Sequence, residues 1–353
     1  MKPRVLFVGP TRYELPLPPG LERKWDAIGE QLDYRILARQ ATSCYKSDPR
    51  FELVGGSFYA QLPRLVRRAV HEFRPHAVVA EDPRTAALVM VARPGVPVIA
   101  EVHGNWEHAT RLYGSSARRL LSPVVDRLDE YGVRHADAVR ALSGYTASLV
   151  EQVRGRPPDA VFPTYSDLGA FTGPVRPLPE RPQALFVGVL EPYKNVEGLA
   201  EAWRRAAPQV PGARLVVVGK GSQRAAIEGT ADEYLDRLTP GQVAEKLDES
   251  TILVLPSRYE GLGRVVIEAF ARGRGVVASR AGGILDLVDD GKQGLLVDPE
   301  DTDALADALV RVLSDRELAE RLGLAAHARF PEWNQTPEQF AQRLRALVDT
   351  VLN

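Results

Sequence analysis

Glu260 and Glu268 flank a glycine-bearing turn in the stretch Pro256-Ser257-Arg258-Tyr259-Glu260-Gly261-Leu262-Gly263-Arg264-Val265-Val266-Ile267-Glu268. An ionised carboxylate only accepts hydrogen bonds, so two of them suit neighbouring hydroxyl pairs, as on sugars. Gly261 and Gly263 lack a Cβ, which lets an anion come close to the backbone between the two acids. The chemistry of such a stretch is a phosphate held by amides with a polyol on either side. A surface turn with solvated glutamates would carry the same residues, so this spacing alone does not decide. His103, in His103-Gly104-Asn105-Trp106, ends an apolar run and is a second candidate, although a lone strand-end histidine is as readily bonded to backbone. Glu107 and His108 lack the His-Glu-x-x-His spacing of a zinc site, and no third ligand follows at helical spacing.

The elements that must position these residues are legible around them. Ile252–Leu255 is an apolar run that reads as a buried parallel strand. Val265–Arg272 has apolar residues at helical spacing. The turn is therefore a strand, a tight loop and a helix start, and a helix start offers unpaired N–H groups and the positive end of the dipole. Strand-like runs (Arg4–Val8, Tyr34–Leu37, Ala77–Ala80, Val96–Val102, Ala138–Leu142) alternate with helical ones (Phe58–Phe73, Ala117–His135) in the first half. The second half repeats the alternation from Ala184–Val187 to the last amphipathic helix, Glu338–Leu352. This pattern predicts an α/β protein with parallel sheets. Gly9-Pro10-Thr11-Arg12-Tyr13, after the first strand, reads as a loop continuing to Gly20 and as a candidate wall of a binding cleft. Gly173–Pro182 holds four prolines and reads as a stiff extended spacer between domains.

Composition excludes several classes. The chain has 353 residues and a net charge of −1, so it has room for two cores and no bulk attraction to nucleic acid. A single cysteine, Cys44, excludes an internal disulfide and fits a reducing compartment. No apolar run approaches a membrane span, and Val5–Val8 is too short for a signal peptide, so a cytoplasmic protein is expected.

Glu-x7-Glu after Pro-Ser, followed by Gly282-Gly283 and Gly291-Lys292-Gln293-Gly294-Leu295-Leu296-Val297, resembles the family-4 retaining glycosyltransferases. The resemblance implies a GT-B fold, two Rossmann-like domains with parallel sheets facing across a cleft. It implies an acceptor-binding domain over 1–172, a nucleotide-sugar-binding domain over 173–335, and a C-terminal helix over 336–353 crossing back to the first domain. Asp167-Leu168-Gly169-Ala170-Phe171 resembles a segment just before the family's linker. Gly188-Val189-Leu190-Glu191-Pro192-Tyr193-Lys194-Asn195 resembles the donor phosphate loop, with Lys194 as the cation that meets charge growing on the leaving nucleotide. By the same resemblance Glu260 bonds the donor sugar, Glu268 the ribose, and Gly188, Gly261, Leu262 and Gly263 lie along phosphates and sugar. Tyr234-Leu235-Asp236-Arg237-Leu238 resembles, loosely, the part beside the base, where Arg237 could stack. Gly9, Arg12, His103 and Gly104 fall on the acceptor side, His103 near the transferred sugar.

Val189 departs from the pattern, since relatives usually carry arginine there; Arg264 and Arg12 are the basic residues that could replace it. The expected activity is transfer of a hexosyl group from a nucleoside-diphosphate sugar to an acceptor hydroxyl, with retention, no cofactor and no metal. Asp301-Thr302-Asp303 mimics a metal motif but opens a helix and reads as its cap. Gly219-Lys220-Gly221 lacks the spacing of a dinucleotide or Walker loop, which argues against a dehydrogenase. The alternatives are a GT-B nucleotide-sugar epimerase and a non-catalytic nucleotide-sugar-binding protein; a phosphorylase lacks its lysine, none occurring after Lys292. Arginines on the helices Phe58–Phe73 and Ala117–His135 could meet the inner face of a membrane, against the plainer reading as a solvated face.

Overall fold

The computed structural model describes residues 1–41, 47–106 and 116–353, without the side chains of 116–121. Cys44, Glu107 and His108, most of the loop after Asn105, and the side chains of Arg118 and Arg119 lie outside the described residues.

The chain forms two compact units, Met1–Asp167 with Gln335–Asn353, and Leu168–Asn334. The first holds strands β1 (Arg4–Tyr13), β2 (Asp33–Gln40), β3 (Phe51–Val54), β4 (Ala77–Ala80), β5 (Val98–Val102), β6 (Ala138–Ala141) and β7 (Ala160–Val161). They pair in the order β3-β2-β1-β4-β5-β6-β7, parallel throughout. Alternation along β1 sends Val5 and Phe7 into one core layer and Leu6 and Val8 into the other. Helix Pro337–Leu352 belongs to this first unit. Its Phe340, Leu344 and Leu347 share a core layer with Trp25 and Ile28 of helix Pro19–Gln31.

The second unit holds β8 (Gln183–Val187), β9 (Arg214–Val218), β10 (Glu233–Leu235), β11 (Ile252–Leu255), β12 (Val276–Ser279) and β13 (Gly294–Val297). Their order is β10-β9-β8-β11-β12-β13, again all parallel. Strand order therefore reverses between β1 and β4 in one unit and between β8 and β11 in the other. Ligands of open parallel sheets bind beyond the carboxyl ends of the strands at such a reversal. Among the described residues, no helix is long and apolar enough to cross a membrane.

Two expectations need correction. Gly9–Tyr13 is not a free loop: after a bulge, β1 resumes pairing at Arg12↔Arg39 and Tyr13↔Gln40. Gly173–Pro182, expected as a stiff spacer between domains, lies inside the second unit and is bonded to it. Arg272 donates to the carbonyl oxygens of Phe171 and Pro174 at 3.3 and 3.5 Å. Arg274 donates to those of Arg176 and Pro177 at 2.9 and 3.2 Å. Arg316 donates to those of Leu178 and Pro179 at 2.9 and 2.8 Å. The segment joins no strand, so these carbonyls have no ladder partner, and the arginines satisfy them. Burial pulls the Arg274 guanidinium down to about 10, against the nearby Asp248. The segment is thus tied to the second unit.

Candidate functional site

The loops that follow β8 and β11, the two strands at the reversal of the second sheet, build one concave site. Its cavity, about 940 Å³, is lined among others by Gly188, Val189, Lys194, Lys220, Arg237, Glu260, Gly263, Arg264 and Glu268. That volume is at the upper end of the usual range for small-molecule sites.

Glycines shape both loops. After β8 the backbone of Leu190 is clamped to the turn after β9, with Leu190 N–H donating to Lys220 at 2.8 Å and Gln223 N–H to Leu190 at 2.8 Å. A Cβ on Gly219 would lie 1.8 Å from the Gly188 carbonyl oxygen, and one on Gly221 2.3 Å from that of Leu190. Gly219-Lys220-Gly221 is thus a seat for the 188–190 loop. After β11 the same device recurs. Gly282 and Gly283 abut the turn: a Cβ would fall 2.0 Å from the Glu260 carbonyl oxygen and 2.2 Å from that of Gly261, respectively. Gly283 N–H donates to Glu260 at 3.0 Å. Gly263 caps helix Arg264–Ala271 at φ +86°, a left-handed backbone that glycine adopts freely, and offers no side-chain cap.

The charged residues meet in pairs. Lys194 ends a short turn, Pro192–Lys194, held from below by Arg258, which donates to Pro192 at 2.8 Å. Its ammonium pairs with the Glu260 carboxylate, both side chains being about nine-tenths buried. Ser257 donates to the same carboxylate at 2.8 Å. Glu268 accepts from Arg264 at 2.9 Å. Burial pushes the Glu268 carboxyl above its ordinary value, with Arg264 opposing. The structure thus brings Gly188, Lys194, Arg237, Glu260, Gly263 and Glu268 onto one wall. Gly261 and Leu262 are not on it; Leu262 packs against the hydrophobic core. Arg237 is exposed at the rim and Val189 is 46% exposed in the cavity. Asp301 caps helix Thr302–Ser314, accepting from Ala304 N–H at 2.8 Å.

The remaining candidates gather at the strand ends of the first unit. His103 follows β5 and faces Glu101 at 3.3 Å and Thr164 at 3.4 Å. Gly9 lies against Glu81, whose carboxylate a Cβ there would strike at 1.9 Å. Arg12 is exposed on the extended β1, and Gly104 is half-buried beside His103. Sequence reasoning missed the charged residues beneath. Arg140, 1% exposed, donates to Glu101 at 2.9 Å and to the Phe162 carbonyl at 2.9 Å. Burial would raise the Glu101 carboxyl, but Arg140 and His103 hold it well below the usual range. Glu81 shifts upward because it is buried, against a hydrogen bond from Thr11. The missed signal is a charge inside an apolar run, Glu101 in Val-Ile-Ala-Glu-Val and Arg140 in Ala-Val-Arg-Ala.

Residues 174–329, the whole of this pocket but for Phe171, match the Glycosyl transferases group 1 family, and residues 34–164 match the Glycosyl transferase 4-like domain. The chain thus carries a group 1 glycosyltransferase domain preceded by a glycosyltransferase 4-like one. The alpha-D-kanosaminyltransferase of Streptomyces kanamyceticus is 30% identical over 65% of this chain and 64% of its own length. The sulfoquinovosyl transferase SQD2 of Arabidopsis thaliana is 33% identical over 42% of this chain and 30% of its own. The chain therefore spans less than two thirds of either relative. Among solved structures, the sucrose-phosphate synthase from Thermosynechococcus elongatus superposes with a TM-score of 0.77 at 19% identity, covering 99% of each chain. Anabaena HepE in complex with UDP-glucose gives 0.71 at 18% identity, over 98% of this chain and all of that one. The fold is accordingly that of the GT-B glycosyltransferases.

Proposed function

We propose that this chain is a glycosyltransferase that moves a hexosyl group from a nucleoside-diphosphate sugar to an acceptor hydroxyl, with retention at the anomeric carbon. The observation that carries the reading is the second-unit cavity, where Lys194, the uncapped helix start at Gly263 and the carboxylates Glu260 and Glu268 share one wall. Such a wall offers positive charge to a diphosphate and acceptors to two polyols. Glu268 takes the ribose hydroxyls and Glu260 the hexose, which fixes the anomeric carbon. As the bond from that carbon to the phosphate oxygen breaks, the electron pair leaves with the diphosphate, and Lys194 and the helix start receive the charge. The acceptor oxygen bonds the same carbon from the side the phosphate leaves, and its proton passes to the departing phosphate oxygen. Charge neutralisation by the chain's own groups makes the step metal-independent in this account. The acceptor is assigned to the strand ends of the first unit around His103, Gly9 and Arg12.

Thermal-shift screening against nucleotides and nucleotide sugars tests the reading, because a ligand that binds only the folded chain raises its melting temperature. A nucleoside diphosphate and one of its sugars should both stabilise the protein. No shift with any nucleotide would refute the assignment.

A further inference from the structure

The cavity of the second unit carries more positive charge than Lys194 alone, and the sheet topology sorts it. Four cations line the cavity, Lys194, Lys220, Arg237 and Arg264. Lys220 and Arg237 follow β9 and β10, toward the edge of the sheet, and Lys220 is tied to Asp236 at 3.0 Å. Lys194 and Arg264 follow β8 and β11, the two strands at the reversal. Arg264 is the first residue of its helix, directly after a glycine that provides no side-chain cap, so the residue itself stands at the open helix start, with its guanidinium turned to Glu268. Its side chain is 54% exposed, while that of its partner Glu268 is 11% exposed. Val189, on the same wall, brings no charge.

Resting on the nucleotide-sugar reading above, we propose that Arg264 is the second phosphate-binding cation of this chain and that it reaches the diphosphate by leaving Glu268. A diphosphate has more negative charge than one lysine balances, and Lys194 is already shared with Glu260. A guanidinium fits two phosphate oxygens at once, which one carboxylate oxygen at 2.9 Å does not fully use. Release of Arg264 frees the Glu268 carboxylate for the ribose. Phosphate capture and ribose capture are then one exchange of partners. The arginine that pairs with Glu268 becomes the one that reads the ligand's phosphates.

The exchange makes opposite predictions for ligands with and without phosphate. Affinities of UDP, GDP and ADP are measured by calorimetry on the full chain, and those of uridine, guanosine and adenosine by ligand-observed NMR. The variants are Arg264→Ala and Arg264→Gln, the second keeping a hydrogen-bond donor for Glu268. For whichever diphosphate binds the wild type, both variants should bind roughly 10- to 100-fold more weakly, the loss expected for a charged hydrogen bond. The matching nucleoside should bind as well as to wild type or better, since Glu268 no longer has to give up an arginine. Diphosphate binding unchanged in both variants overturns the inference while leaving the donor site in place. Equal losses for nucleoside and diphosphate overturn it too, because Arg264 would then act only through the shape of Glu268. A wild type that binds none of the three diphosphates refutes the nucleotide-sugar reading itself and this inference with it.

Discussion

Gly282→Ala tests how the turn that carries Glu260 is held. Gly282 sits at φ +54°, and its added Cβ would lie 2.0 Å from the Glu260 carbonyl oxygen, where ordinary contact begins near 3.4 Å. The obstacle is backbone, so the turn must retreat by more than 1 Å. That retreat breaks the 3.0 Å bond from Gly283 N–H to Glu260. A left-handed alanine costs about 1–2 kcal/mol and the lost bond about 1 kcal/mol. Reduced freedom of the unfolded chain returns roughly 0.5–1 kcal/mol. A net loss of about 2 kcal/mol leaves a domain of ordinary stability folded. Activity should fall much further, on the order of 100-fold, because Glu260 rides on the displaced turn. Gly291→Ala is the internal control. It too has a positive φ, +77°, but nothing within 4 Å of the added Cβ. It should lose about 1 kcal/mol or less and keep its activity. Urea unfolding and nucleotide-sugar turnover on both variants decide the matter. Equal activities for the two variants would refute the reasoning, since backbone strain alone would then explain everything.

Further outcomes follow from three charged pairs. Lys194→Ala should abolish turnover and leave Glu260 buried against Ser257, destabilising the second unit by about 3–5 kcal/mol, measurable by urea unfolding; near-native rates would remove Lys194 from the mechanism. Burial raises the Glu268 carboxyl above 4.5, so its protonation favours the folded state. Its contribution is full below that ordinary value and is lost as pH rises through the raised one, so Glu268→Gln should flatten this part of a stability–pH curve. Nucleotide affinity should show the reverse trend in wild type, growing as Glu268 ionises, and a pH-independent affinity there would count against its ribose role. Arg140→Met should cost the first unit about 3–5 kcal/mol by stranding Glu101 in the interior, read from the urea midpoint. A loss under 1 kcal/mol would mean that water reaches Glu101.

The sequence made some elements legible and concealed others for physical reasons. Phe58–Phe73 and Ile252–Leu255 are recovered to the residue, because Gly56-Ser57 and Pro75 bracket the helix and Pro256 follows the strand. Helix Pro19–Gln31 was hidden behind Leu15-Pro16-Leu17-Pro18, a stretch that looks like continued loop although Pro19 suits a first helical position. Helix Pro83–Val91 is apolar almost all round and shows little periodicity, so only Asp82, its cap, announces it. Edge strands Phe51–Val54 and Glu233–Leu235 are too short and too half-exposed to alternate clearly. At the site, the residue types were readable but their reasons were not. Gly282-Gly283 stood out as a motif, and only the structure ties it to the carbonyls of Glu260 and Gly261. The arginines that fix the proline segment bind backbone oxygens, which leave no mark on sequence.

The most direct measurement is proton NMR of the anomeric signals when the protein is given a nucleotide sugar, chosen by thermal shift, together with a panel of hydroxyl acceptors. The account predicts that the donor signal is replaced by a glycoside of the same anomeric configuration, with one nucleoside diphosphate released for each bond formed. A nucleotide sugar epimerised without any acceptor, or bound and left intact with every acceptor, would contradict it.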